Sequence, residues 1–491
     1  MAQTRIAGLI LVVLCAYVLF FQGLGGAGLI GPDEPRYADI GRAMYESGDW
    51  VTPRLFGDAW FEKPALLYWL IGAGFALGLD DTLAPRLPIA ILSLAALVAY
   101  FFALRRLLGA RPALSAALIL AVSVGWLGFS HAAVTDLPLT VFFSAGMLFA
   151  MPWALKGERN LLPWAAACFA LASLAKGLVP LVLAAPLLAL GWRRALDWLR
   201  PAPLAAFVAV STPWYALCYA RNGSAFVDEF FWKHHVSRFF SPELQHVQPF
   251  WFYLPVLFGL LVPVAPLAVH LFRRGLWADP RARYFAAWAA FGFLFFSAST
   301  NKLPGYLLPL LPACAALLGL ALDRVPRAGV SLGAAALLSA VYALAGGVLP
   351  GALAEGIRRA EFAAIPWTWL LPSLAGALAI VLLERSSRRT ASLLALLALI
   401  ALNVGILKST AFRQLGEQAS SRSLWLRLKP HAEAVCIGNS HRSIEYGLRY
   451  YSHGAIPLCA NSPRPLQIDL RFPSDPLEIP ATLQPEASSH E

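Results

Sequence analysis

Apolar positions come in runs of about 16 to 22 residues separated by short polar loops, and this rhythm holds as far as Lys408. Membrane-crossing helices are predicted at 6–24, 84–104, 112–130, 138–155, 161–175, 178–192, 202–220, 250–271, 284–299, 303–322, 328–349, 367–383 and 390–408, about thirteen in all. Segment 64–79 is apolar but short, and Lys63, Asp80 and Asp81 flank it, so it is expected to be a surface or re-entrant helix. Past Lys408 the pattern changes. AEAVCIG has the character of a strand, RSIEYGLRYYS that of a short helix and GAIPLCA that of a second strand, which makes 409–472 a small α/β unit. Residues 473–491 are rich in Pro, Ser and Glu and are expected to be disordered. The predicted class is an all-α polytopic membrane protein over residues 1–408, with surface helices in its loops and the α/β unit behind it.

Composition sharpens this picture. Of 491 residues, 58% are hydrophobic and 14% charged, against about 25% charged in soluble domains. The N-terminus has a charged start and an apolar run with no small-residue cleavage site before the acidic stretch, so it is expected to be an uncleaved first span. The net charge of +11 does not point to nucleic acid, because the bases sit in short clusters between apolar runs and form no compact basic face. One set of loops holds Arg105, Arg106 and Arg111; Lys156 and Arg159; Arg193, Arg194 and Arg200; Arg273, Arg274, Arg281 and Arg283; Arg324 and Arg327; and Arg385, Arg388 and Arg389. These loops mark the cytoplasmic face, which puts the N-terminus inside and the segment after Lys408 outside. The alternate loops then collect the unusual groups: 25–83, His131 to Asp136, Lys176, Glu229 to His246, Asn301-Lys302 and Glu355 to Glu361. A transporter would instead place ionisable groups near mid-membrane on interrupted, repeated helices.

The richest stretch is Gly31 to Trp69. Asp33 and Glu34 precede Pro35, a good first-turn residue, and Tyr37, Ile40, Met44 and Tyr45 continue at helical spacing to Gly48. One acid serves as an N-cap; the second is a candidate base that takes a proton from an attacking hydroxyl. Glu62-Lys63-Pro64 opens another aromatic-rich segment, where a helix N-terminus beside a lysine suits phosphate; as a plain surface ion pair it would be worth little. Asp136 starts a span, as an N-cap or a cavity acid, and Lys176 lies in a tight turn, snorkelling or contacting an anionic substrate. In FVDEFFWKHHVSRFFSPELQHVQPFWFY, His234, His235 and Arg238 are candidates for metal or phosphate, and Phe230, Phe231, Trp232, Phe239 and Phe240 supply a membrane-facing surface. Lys302 and Tyr306, in NKLPGY, are either interface anchors or phosphate contacts.

These motifs, in this order, resemble the polytopic GT-C glycosyltransferases over about residues 1–410, with DEPRYADI, SGDWVTP, FEKP, Asp136, HHxxRF and KLPGY as the points of likeness. The chain is similar to the bacterial aminoarabinose transferases that modify lipid A and to the wider protein mannosyltransferase superfamily. The resemblance implies an enzyme of the bacterial inner membrane that moves a sugar from a polyprenyl-phosphate carrier to a lipid or glycan acceptor on the periplasmic side. Asp33 then matches the catalytic acid of the first loop. Lys63, Arg238 and Tyr306 match the groups that hold the carrier phosphate, for which Lys302 is a further candidate; Asp136 and Lys176 match further cavity residues, and Arg36 is a candidate beside them. Glu62 and His235 (or His234) match a site for a divalent, zinc-like metal. The segment after Lys408 departs from this pattern, being shorter than the soluble domain of the nearest relatives. If it lies in an oxidising compartment, a Cys436–Cys459 disulfide is expected. The competing readings are a transporter or flippase of a lipid-linked sugar, a protein O-glycosyltransferase, and a non-catalytic assembly protein.

Overall fold

The computed structural model describes residues 2–237, 247–356, 360–361 and 366–477, without the side chains of 2–5 and 234–237. Among the described residues six helices are long and apolar enough to cross a membrane: Leu83–Leu108, Asp136–Lys156, Pro201–Lys233, Pro304–Asp323, Trp367–Arg385 and Arg389–Gln418. Three bent pairs, at 110–130, 250–272 and 329–355, raise the number to nine if each is one span. The chain is therefore a multi-pass membrane protein, but thirteen spans are not reached by length. The apolar runs are there; the helices within them are interrupted. Ser123 caps a new helix inside one run, Pro263 and Ala265-Pro266 break another, and Gly346-Gly347 break a third. Ile6–Phe21, Leu162–Lys176 and Val179–Leu190 are apolar but short. An apolar run measures hydrophobicity, whereas a span also needs an unbroken ladder of backbone hydrogen bonds.

Between the first apolar helix and Leu83–Leu108 lies the loop that carries the candidate acids. Helix Asp33–Ser47 buries Tyr37, Ile40 and Met44 as the spacing predicts, while Tyr45 stays outside, and Gly48 ends it in the left-handed region. A two-stranded hairpin follows, Arg54–Leu55 against Asp58–Ala59, and then the short apolar helix Leu66–Ala76 expected at 64–79. The two helices lie so close that a Cβ on Gly41 would come within 2.4 Å of Ile71. Only glycine permits that approach.

At the other end of the sequence, helix Arg389–Gln418 runs on without a break, so the boundary expected at 408 falls inside it. Strand Val435–Ile437 pairs in parallel with Leu466–Ile468, with helix Arg442–Tyr451 between them in sequence. GAIPLCA is not the second strand. It contributes a single bridge, Leu458 to Ile437, because Pro457 has no N–H to extend a ladder. Cys436 and Cys459 are joined as a disulfide. Of the segment expected to be disordered, Leu477 packs on the small core of this unit, and residues 478–491 lie outside the described residues.

The C-terminal unit sits directly on helix Asp33–Ser47. Arg42 donates to the Tyr450 carbonyl (3.0 Å) and stacks on the Tyr450 ring (4.4 Å). Leu29 N–H donates to the Tyr451 hydroxyl (2.7 Å), and the Tyr450 hydroxyl donates to the Asp81 carbonyl (2.7 Å).

Candidate functional site

The two adjacent acids have opposite environments. Glu34 is 4% exposed, and both its oxygens are occupied: Arg86 donates from Nε (2.9 Å) and Nη2 (2.6 Å), and the N–H groups of Ile30 and Ala133 donate at 2.9 Å each. Arg86 also holds the carbonyls of Ala27 and Gly28. Glu34 is thus a bracket that ties the helix start to two other segments, which corrects its expected catalytic role: an acid this fully bonded has no lone pair left for a substrate proton. Asp33 has the opposite character. Its side chain is 52% exposed and it accepts one bond from Arg36 Nη2 at 2.7 Å. An open carboxylate beside a fixed cation is suited to receive a proton from an acceptor hydroxyl.

Arg36 extends the site to the next motif. Its Nη1 meets Glu62 at 2.7 Å, and Glu62 in turn meets Lys63 at 3.0 Å. Arg36 lies over the Tyr37 ring (4.9 Å) and near that of Trp60 (5.8 Å). Burial lowers the Arg36 pKa, but Tyr37, Glu62 and Asp33 raise it further, so the guanidinium stays charged. Burial also pushes the Tyr37 phenol well up, helped by Asp33 and Glu62. Asp33, Arg36, Glu62 and Lys63, separated by thirty residues of chain, form one continuous line of alternating charge.

A second cluster joins from three helical segments. Lys176, at the end of Leu162–Lys176, meets Asp136, at the start of Asp136–Lys156, at 2.8 Å. The ammonium lies 4.9 Å from the centroid of the half-buried Tyr306 ring. A Cβ on Gly305 would be 3.0 Å from Asp136 Oδ1, so glycine lets NKLPGY close on that acid. Two paths connect this cluster to the first. Ala133, three residues before Asp136, is held by Glu34. Phe61, beside Glu62, packs edge-on to Phe226 (5.4 Å), which contacts Tyr215 (6.5 Å), whose hydroxyl donates to the Ser173 carbonyl (2.9 Å) one turn before Lys176.

Some expectations change. Lys302 is 4% exposed, and its ammonium caps the carbonyls of Ser299 and Gln248; burial pulls its pKa below the ordinary value. It braces its own loop to the Gln248 segment, with its ammonium turned to backbone carbonyls. Phe230 is 1% exposed and packs on Phe226 and Tyr215, so it is core and not lipid-facing; Trp232 does face outward. Arg238, Phe239 and Phe240 lie outside the described residues, as do the side chains of His234 and His235. Among the described residues no three His, Cys, Asp or Glu side chains gather as a metal site, and Glu62 meets two cations.

Sequence reasoning missed Arg86 and the buried pair Asp39–Arg42 (2.8 Å), which seats the C-terminal unit. Arg86 sits in the first turn of a long apolar helix, where an arginine passes for a headgroup anchor; only its burial separates the two roles.

Residues 62–215 match the family described as dolichyl-phosphate-mannose-protein mannosyltransferase. Undecaprenyl phosphate-alpha-4-amino-4-deoxy-L-arabinose arabinosyl transferase 2 of Pseudomonas fluorescens is 35% identical over 335 residues, 64% of this chain and 56% of that protein. The corresponding transferase of Pseudomonas aeruginosa is 36% identical over 338 residues, 65% of this chain and 60% of its own length. The chain thus spans less than two thirds of these curated relatives. The crystal structure of ArnT from Cupriavidus metallidurans bound to undecaprenyl phosphate superposes with TM-score 0.70 at 26% identity, over 94% of this chain and 89% of that one. Its apo form gives 0.73 at the same identity, over 94% and 90%. The resemblance read from the motifs therefore holds: this chain has the GT-C glycosyltransferase fold and is similar to the undecaprenyl-phosphate aminoarabinose transferases.

Proposed function

We propose that this chain is an inverting glycosyltransferase, which moves a sugar from a polyprenyl-phosphate carrier to lipid A or another envelope acceptor on the periplasmic side of a bacterial inner membrane. The observation that carries this reading is Asp33, an open carboxylate at the head of a line of buried, paired charges. The acceptor hydroxyl attacks the anomeric carbon and passes its proton to Asp33. The bond from that carbon to the phosphate oxygen breaks, and its electron pair leaves with the lipid phosphate. Negative charge grows on that oxygen in the transition state, so cations fixed beforehand stabilise it more than they stabilise the ground state. Lys63 is the described cation for this role, and the resemblance adds Arg238. Asp136, Lys176 and Tyr306 hold the sugar and the phosphate from the span side.

The same reading covers the topology. The three bent pairs count as spans, and Ile6–Phe21, Leu162–Lys176, Val179–Leu190 and Pro280–Ala298 join them, which restores thirteen with the N-terminus in the cytoplasm. The C-terminal α/β unit lies in the periplasm, where its disulfide is stable. A zinc-like ion on Glu62 with His235 or His234 is a further part of the reading. The described donors do not by themselves fit an ion, so no step above runs through it; unchanged donor affinity and turnover in strong chelator would remove it.

The decisive experiment is Asp33→Asn, assayed with undecaprenyl-phosphate aminoarabinose and lipid A. Turnover should fall by about 10²–10⁴-fold, while the purified protein still binds undecaprenyl phosphate. Turnover within a few fold of wild type would sink the assignment of the base.

A further inference from the structure

Helix Arg442–Tyr451 does more than hold the C-terminal unit in place. One face is committed to docking: Tyr450 and Tyr451 are buried and bonded to Asp81, Arg42 and Leu29. Tyr446, one turn earlier, is only half-buried, and no described residue hydrogen-bonds its hydroxyl. Its ring lies 6.0 Å from that of Phe56 in the first loop. The phenol is near enough to Arg36 and Glu62 for both charges to act on it, in opposite senses.

Phe56 is held at some cost. Its φ is +51°, a conformation unfavourable for a bulky residue, and it forms the tight turn of the hairpin with Gly57 (φ +98°). Three contacts keep it there: its N–H donates to Asp39 Oδ2 (2.9 Å), Arg449 stacks on its ring at 3.8 Å, and Tyr446 flanks it. Two of these come from the C-terminal helix. An aromatic pair with a half-buried phenol and an arginine therefore stands against helix Asp33–Ser47 at Asp39, one turn from Arg36.

We propose that Tyr446 is an acceptor-binding residue of the transferase site, its hydroxyl hydrogen-bonding the acceptor sugar that Phe56 and Arg449 flank. The C-terminal unit then completes the acceptor side of the reaction centre, while the carrier is held by the other segments. This rests on the transferase reading above and deepens it. A tyrosine hydroxyl fits a sugar because it both donates and accepts, and an arginine beside it suits an acceptor that bears phosphate.

The test is Tyr446→Phe, which keeps the ring against Phe56 and removes only the hydroxyl. A net hydrogen bond implies a rise of roughly three- to tenfold in the KM for lipid A, and an equal weakening of lipid A binding to protein preloaded with undecaprenyl phosphate. The donor KM and the melting temperature should stay at wild-type values. A purely structural tyrosine would leave Tyr446→Phe unchanged in all four measurements and would lower the melting temperature only in Tyr446→Ala; that pattern overturns the proposal. The equilibrium measurement needs no turnover, so it separates the two readings. If Asp33→Asn still transfers, the base assignment fails and the Tyr446 result stands. If Tyr446→Phe binds lipid A as wild type does, the acceptor assignment fails and the transferase stands.

Discussion

The two ends of the helix bundle both bury acids against arginines, and they use them differently. Helix Asp136–Lys156 spans roughly 30 Å, with Asp136 at one end and the Asp197 cluster at the other. At that far end Asp197 accepts from Trp153, Arg159 and Arg200. Asp279 accepts from the backbone and guanidinium of Arg281 and from Arg324. Glu384 accepts from Arg389 and the Ala328 N–H. Each of these carboxylates is wrapped in donors and sits where loops must be pinned. At the near end Glu34 follows the same plan, and Asp33, its neighbour in sequence, does not. Charge beside charge is therefore not the mark of a reactive site. A carboxylate that has cations beside it and open space in front of it is.

The largest effect expected from breaking this contrast is Glu34→Ala. It leaves Arg86 buried without its partner, at about 3–5 kcal/mol, visible as lost folded yield and a lower melting temperature in detergent; Asp33→Asn should leave both unchanged. If the two variants were equally unstable, the division of labour between the neighbours would fail. Lys63→Gln comes next. Under the proposed function it removes one charge-assisted contact to the leaving phosphate, worth about 1.5–3 kcal/mol, so undecaprenyl phosphate binding should weaken by about ten- to a hundredfold while Glu62 keeps Arg36. Binding unchanged by that substitution would move the phosphate elsewhere.

The smallest effect sharpens the far end. Burial raises the Asp279 carboxyl pKa, but the bonds from Arg281 and Arg324 more than reverse this and pull it down to about 2. A depressed carboxyl stabilises the folded state above its unfolded value of about 3.9 and loses that contribution as pH falls towards 2. The melting-temperature gap between wild type and Asp279→Asn should therefore be full at pH 5 and close between about pH 4 and 2, with transfer activity at neutral pH unaffected. A gap independent of pH would mean that packing, not ionisation, is what the aspartate supplies.

Much of this was legible in the sequence. The 16- to 22-residue apolar runs, the sidedness of Arg and Lys and the acidic first loop led to a polytopic membrane enzyme with its site on one face. They also singled out Asp33, Glu62, Lys63, Asp136, Lys176 and Tyr306, which the fold gathers into the two charged clusters from which the function is proposed. These signals are local, or depend on composition summed over a span. The failures have a common cause. Glu34 and Asp33 cannot be told apart at a helix start, because the group that distinguishes them, Arg86, is 52 residues away. Nothing in NKLPGY shows that the Lys302 ammonium is turned to the carbonyls of Ser299 and Gln248, the second of them 54 residues away. Leu466–Ile468 was missed as a strand because three residues carry too little alternation to read.

The sequence by itself determined the solvent this protein lives in and the charged groups its polar loops carry, because hydrophobicity and charge act additively along a chain. Only the tertiary structure decided which of those charges are used up by one another, where the apolar runs break, and that a tyrosine from the last helix stands beside an arginine from the first loop. Hydrogen-bond saturation and contact depend on partners that arrive from anywhere in the chain, and no single stretch of residues records them.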